Sequence, residues 1–168
     1  MSETEKAGQP RTGGCQCGAV RFRIKGQLGR ASICHCRMCQ KAFGGFFGPL
    51  VSAPQDGAET GVEWTRGEPK YFQSSINIDR GFCAECGTPL TYRTPTSLDI
   101  AIGAFDERDD LMPQVQVNHT FRLPWVETIF DAPVHTGDTD YYSKQEQIIS
   151  FQHPDHDTEN WPAKGLHL

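Results

Sequence analysis

Seven cysteines fall into three short clusters whose spacing is that of metal ligands. The densest is Cys34-His35-Cys36-Arg37-Met38-Cys39, three thiols and an imidazole in six residues; Cys15-Gln16-Cys17 precedes it and Cys83-Ala84-Glu85-Cys86 follows. Zinc takes thiolates readily, and its structural sites close all four tetrahedral positions with protein ligands, whereas catalytic sites keep one for water or substrate. The two outer pairs supply four thiols, so Cys15, Cys17, Cys83 and Cys86 are assigned to one closed structural zinc that ties distant parts of the chain together. Cys34, Cys36 and Cys39 then form a second zinc site with one open position, expected to hold its ion less tightly. Pairings in which the trio shares ligands with an outer pair stay open on spacing alone, although they strand three thiols without a matched role. Cysteines serving only as small core hydrophobes fit such clustering poorly.

A zinc held by three thiolates is electron-rich and weakly Lewis acidic, yet it still lowers the pKa of a fourth thiol. That favours thiol substrates: attack of a thiolate on a small carbonyl compound forms a carbon–sulfur bond, and the reverse step cleaves one. His35, between two proposed ligands, has three open roles: hydrogen-bond support for the ligands, a stand-in fourth ligand, or a turn residue. The sequence contains no Ser/His/Asp arrangement, P-loop or dinucleotide fingerprint, and no general acid or base is nominated. Thiol redox chemistry at Cys36 and Cys39 is a weaker reading, since no βαβ setting accompanies the pair.

The elements that must position these thiols are short strands. At 168 residues the chain has the size of one ordinary domain. Residues 1–13 read as a flexible polar leader, 14–130 as the zinc-binding domain, and 131–168 as an extension that packs locally or frays. Apolar alternation predicts strands over 19–24, 62–65, 71–74, 78–82, 90–93, 98–102 and 115–119. The stretch 31–33 is an extended approach to the central cluster, and 40–43 one helical turn ended by Gly44-Gly45. Gly48 and Pro49 mark 46–53 as an edge or bulged strand, and 106–111 is the best short helix. In the extension, His153-Pro154-Asp155-His156 is read as ordinary surface histidines in preference to a metal tract. With 16 Lys and Arg against 21 Asp and Glu, the net charge of -5 repels phosphate backbones and speaks against nucleic acid as a partner. No segment approaches the ~20 apolar residues that span a bilayer, so a cytoplasmic protein without a membrane partner is expected, a setting that favours metal ligation over disulfides.

The motifs Gly14-Cys15-Gln16-Cys17-Gly18, Cys34-His35-Cys36-Arg37-Met38-Cys39, Tyr71-Phe72-Gln73-Ser74-Ser75, Arg80-Gly81-Phe82-Cys83-Ala84-Glu85-Cys86-Gly87, Gly103-Ala104-Phe105-Asp106 and Leu123-Pro124-Trp125 occur in that order. In this combination the chain resembles the glutathione-dependent formaldehyde-activating enzymes, also described as the centromere-protein-V/formaldehyde-activating family. The resemblance implies a mostly β, Mss4-like fold of antiparallel sheets stapled by a structural zinc, with little helix. It further implies a second zinc at Cys34, Cys36 and Cys39 that handles glutathione and formaldehyde. The reaction so implied is the reversible joining of formaldehyde and glutathione to S-(hydroxymethyl)glutathione, a carbon–sulfur lyase activity, and the implied partners are a small thiol such as glutathione and a small aldehyde. The sequence departs from the family's usual residues at Gln40 and Gln116.

Glutathione carries two carboxylates, which need cationic or N–H donors near the open zinc. Arg37, Lys41, Arg80 and Arg122 are the substrate-binding candidates, weighed against ordinary solvated charges. Phe43, Phe46, Phe47 and Trp125 read as core or pocket wall. The competing functional class is a non-catalytic, zinc-stabilised binding module.

Overall fold

The protein is described by a computed structural model covering residues 10–56, 59–134 and 150–161. It is mostly β, built on two sheets. In the smaller, β2 (Arg21–Ile24) lies between β1 (Arg11–Gly14) and β7 (Val62–Arg66), all antiparallel. Alternation along β2 sends Phe22 and Ile24 into the core, where the Phe22 ring meets Trp64 edge-on at 5.9 Å and Phe105 at 5.2 Å. Arg11 to Gly13, expected within a flexible leader, belong to β1 instead. Arg11 to Gly14 pair with β2, the Arg11 guanidinium binds Asp110, and the Thr12 hydroxyl donates to Asp106 Oδ2 at 2.6 Å. These partners are distant in sequence, so local polarity gave no sign of them.

The larger sheet has seven strands in the order β12 (Val115–Val117), β3 (Ala31–Cys34), β4 (Gly48–Ser52), β11 (Leu98–Ala101), β10 (Pro89–Arg93), β9 (Ile78–Phe82) and β8 (Lys70–Ser75). Every neighbouring pair is antiparallel except β12 and β3, which run parallel. A small hairpin of β5 (Gln55–Asp56) and β6 (Glu59–Thr60) stands apart from both sheets. β4 is a central strand, contrary to the edge position that Pro49 suggested. Its pairing with β11 runs only from Leu50 to Ser52, so Pro49 faces β3 alone and its missing N–H disrupts no second ladder.

Residues paired across neighbouring strands share a face. Ala31, Val51 and Ile100 lie opposite one another and enter the core cluster together with Phe22, Ile24 and Phe105 of the smaller sheet's side. The opposite face carries Ser32, Cys34, Leu50, Asp99, Tyr92 and Arg80. One face of the large sheet thus builds the core and the other is free to build a site.

The α-helix α1 (Arg37–Phe43) is longer than the single turn expected and ends at Gly44, whose left-handed φ of 61° suits glycine. No helix forms over 106–111. Asp106 is held by Arg21 and Thr12, and the chain turns there. Strand β12 stops at Val117; Asn118 adopts φ 55° and His119 opens a 3-10 turn. Residues 150–161 pack back onto the domain: Asp157 pairs with Arg21 at 2.9 Å, and the Trp161 indole donates to the Cys17 carbonyl at 2.6 Å. His153, expected at the surface, is buried beneath Trp161. Residues 135–149 and 162–168 of the extension lie outside the described residues. Among the described residues, no helix is long and apolar enough to cross a membrane.

Candidate functional site

The local chain builds the central thiol cluster. Cys34 is the last residue of β3, Cys36 caps α1, and Cys39 lies one turn into that helix, which folds three sulfurs back on one another. Their Sγ atoms all lie within 4.8 Å of one another. Each accepts a hydrogen bond: Cys34 from Asn118 Nδ2 at 3.3 Å, Cys36 from the Cys39 amide at 3.4 Å, and Cys39 from Arg80 Nη2 at 3.3 Å. Arg80 is buried, its Nε donates to Ser74 Oγ at 3.2 Å, and its guanidinium lies 5.0 Å from the centre of the Tyr92 ring. Burial pushes the Cys39 thiol up to about 12 despite the pull of Arg80. Cys34 is buried too, but the donors from Asn118 and the Cys36 backbone outweigh that and bring its thiol below the ordinary range.

Cys15, Cys17, Cys83 and Cys86 converge in the same way, with Cys17 Sγ at 3.6 Å from Cys15 Sγ and 3.8 Å from Cys83 Sγ. A tetrahedron of sulfurs about 2.3 Å from a zinc has edges of about 3.8 Å, so these separations fit a closed ion. They are far beyond the ~2.05 Å of a disulfide. Burial raises the Cys15 and Cys17 thiols, while at Cys86 burial is outweighed by hydrogen bonds with Thr88, and its thiol falls to about 6. Buried thiols that resist ionisation are groups a bound cation would relieve. Both clusters fit zinc by donor type, and the partition into four and three follows the geometry, not only the spacing.

The clusters differ in surroundings. Residues 150–161 close over the Cys17 side of the quartet: His153 donates its amide to the Gln16 carbonyl at 2.7 Å, and a Cβ on Gly18 would lie 2.2 Å from the His153 ring, while Cys15 and Cys86 border a cavity of about 460 Å³. The trio opens on a cavity of about 530 Å³ on the free face of the large sheet, whose walls include Cys34, Cys36, Arg80, Tyr92, Asp99 and Asn118. Arg37 and Met38 of α1 and Phe121 complete its lip.

Of the four cationic candidates, Arg37 and Arg80 line this cavity. Lys41 lies further along α1 in a neighbouring groove with Phe72, and Arg122 is engaged by Glu127. Phe46 and Trp125 pack edge to face at 4.8 Å, half-exposed. His35 is fully buried and is not among the converging ligands. Its Nε2 donates to Gln116 Oε1 at 2.9 Å, and its carbonyl accepts from Gln40 Nε2 at 2.9 Å, so it braces the start of α1 against β12. Asn118, Tyr92 and Asp99 escaped the sequence reading. Their one signal is alternation: Tyr92 and Asp99 are the outward neighbours of core-facing Thr91, Leu98 and Ile100.

A family model for the glutathione-dependent formaldehyde-activating enzyme matches residues 10–121. The crystal structure of a Rhodobacter sphaeroides protein superposes with a TM-score of 0.48 at 19% sequence identity, over 63% of this chain and 99% of that one. No curated protein matches the sequence.

Proposed function

The chain belongs to the glutathione-dependent formaldehyde-activating enzyme family, and from that premise we propose that it is a zinc-dependent carbon–sulfur lyase, reversibly joining formaldehyde or a similar small aldehyde to glutathione or another thiol. The observation that carries this reading is that only three thiols converge at Cys34, Cys36 and Cys39, one short of a closed zinc site, on a cavity also lined by Arg37 and Arg80. Cys34, Cys36 and Cys39 would hold the second zinc, which, when bound, supplies a position that keeps an incoming thiol ionised.

The residues around the trio support that task. Three thiolates and a divalent ion leave one negative charge, which the buried Arg80 guanidinium offsets, so that an incoming thiolate would meet a neutral assembly instead of an anionic one. Asn118 and the Cys39 amide fix two of the sulfurs in direction and share their charge. Arg37, exposed at the lip, is placed to meet a carboxylate of the substrate. In the forward direction the substrate sulfur bonds to the aldehyde carbon, the C=O π pair moves to oxygen, and that oxygen takes a proton, balancing the one lost by the thiol.

The test is exchange NMR between formaldehyde and its glutathione adduct with and without zinc-loaded protein. Acceleration that disappears in Cys36→Ser is the expected result. No acceleration with glutathione or any other small thiol would leave the non-catalytic, zinc-stabilised module as the better account.

A further inference from the structure

Within the cavity that faces the trio, the one carboxylate has no cationic partner among the described residues. Asp99 projects from β11 onto the free face of the large sheet, directly across from Tyr92 on one side and Ser52 on the other. It is half-buried, and its side chain is hydrogen-bonded to Ser52. None of the ion pairs among the described residues involves it. The nearest cation in this row, Arg80, is committed to Cys39, Ser74 and the Tyr92 ring. Arg93 is turned to Asp79 and to the Tyr71 ring.

A carboxylate in a partly apolar wall is costly as an anion unless something positive meets it. Burial accordingly pushes Asp99 above the ordinary carboxylate range, and the Ser52 hydrogen bond offsets this only in part. A bound cation would reverse that cost. The site on offer is therefore anionic at Asp99 and cationic at Arg37, an arrangement that matches a zwitterion.

Distance narrows the ligand further. Arg80 and Asp99 flank Tyr92 in one transverse row, so their backbones are two strand spacings apart, about 9.5 Å. Cys34 ends β3, two strands from β11 on the other side of Asp99, and pairs with Gly48, four residues along β4 from the Ser52 opposite Asp99, so strand spacing and residue rise together separate the backbones of the trio and the carboxylate by roughly 16 Å. A thiol whose ammonium group sits two carbons from sulfur cannot touch both. One whose ammonium ends a γ-glutamyl arm, roughly two residue lengths or ~7 Å when extended, can.

We propose that Asp99 is a specificity-determining residue that receives the ammonium group of the thiol substrate, selecting γ-glutamyl thiols over thiols lacking a distant amine. The inference rests on the thiol-handling reading of the cavity. It adds a contact which that reading does not require.

The test uses zinc-loaded, full-length protein with glutathione and with its N-acetyl derivative, which keeps the thiol and both carboxylates but loses the ammonium charge. Binding is followed by ligand-observed NMR titration and turnover by exchange NMR. Wild-type protein is expected to bind glutathione at least tenfold more tightly than the acetylated thiol. Asp99→Asn should raise the Kd and KM for glutathione at least tenfold, leave kcat within about twofold, and leave the acetylated thiol unaffected, with Asp99→Glu restoring part of the preference. Far-UV dichroism and thermal melting check the fold of the variants, and the wild-type comparison of the two thiols needs no variant. Equal binding of the two thiols by wild-type protein, or equal losses for both in Asp99→Asn, would overturn the assignment while leaving the lyase reading intact. Discriminating binding without turnover would support Asp99 and sink the lyase reading instead.

Discussion

Arg80→Met tests whether the buried guanidinium sustains the trio as a metal site. The substitution keeps much of the apolar stem that packs beside Tyr92 but removes the donor at 3.3 Å from Cys39 Sγ and the donor at 3.2 Å from Ser74 Oγ. A hydrogen bond to a charged partner contributes about 1.5–3 kcal/mol, which at 1.4 kcal/mol per decade is a loss of roughly ten- to hundredfold in affinity for the second zinc. That range agrees with the usual effect of removing a residue that supports a metal ligand, about 10–100-fold. The cost falls on Cys39, which burial already holds near 12 with Arg80 present and which would then have to ionise without that donor. Competition with a chromogenic chelator, titrated until the first and second zinc ions are released, measures the two sites separately. The second site should weaken by the stated factor while the quartet keeps its ion, and Arg80→Lys should recover part of the loss through charge without the forked geometry. An unchanged second-site affinity in Arg80→Met, with the fold intact, would refute the coupling between guanidinium and thiolate.

Cys36→Ser should release the second zinc with a stability change of no more than about 0.5 kcal/mol, because Cys36 is the least buried of the trio; metal content and thermal melting decide it, and retention of two zinc ions would count against the open site. Cys86→Ser should lose the other zinc and impair folding, so a soluble variant with wild-type melting would remove the staple. Phe22→Ala empties a fully buried position between Trp64 and Phe105 and should cost about 3–5 kcal/mol in chemical denaturation; a loss below 1 kcal/mol would contradict the packing. Asp157 is pushed up by burial but held below its ordinary range overall by Arg21 and Arg23. Its contribution is thus present above the ordinary carboxylate value of about 3.9 and lost as pH falls through the lower folded value. At 37% exposure it is worth less than about 1 kcal/mol. Acid titration of tryptophan fluorescence should show residues 150–161 releasing at higher pH in Asp157→Asn, and identical titrations would exclude the anchor.

What could be read from the sequence was local. Each thiol cluster spans six residues or fewer, so its ligand character is a matter of spacing, and the strand alternation around it has a period of two. The partners of the sulfurs are another matter: Asn118 lies 84 residues from Cys34 and Arg80 lies 41 from Cys39. Arg80 was legible only as one cation among several, and nothing nearby separates it from Arg122, which ends in a surface pair with Glu127. Pro49 misled for a related reason. A proline forbids a ladder on its N–H side, but whether that side has a neighbouring strand depends on how far β11 extends.

The same distinction bears on how the two clusters differ. The two clusters bring their sulfurs equally close, but one supplies four ligands and the other three. Their surroundings add to that difference. His153 and Trp161 close over Cys17 and its neighbours, using hydrogen bonds to the Gln16 and Cys17 carbonyls and a glycine that leaves no room for a side chain. Around Cys34, Cys36 and Cys39 the sheet turns its non-core face outward, and the residues that project there are Arg80, Tyr92 and Asp99. These can compensate charge, wall the cavity and bind an ammonium, but they do not cap the trio. A site with a vacant position needs a sheet face that the core does not use. Here the register of β9, β10, β11 and β4 provides that face, because the residues opposite one another in this row alternate with those that fill the core. A one-residue slip of β11 would bury Asp99 and expose Ile100, destroying core and cavity together. The packing that stabilises this fold therefore also holds the cavity's charged wall in register with the thiols.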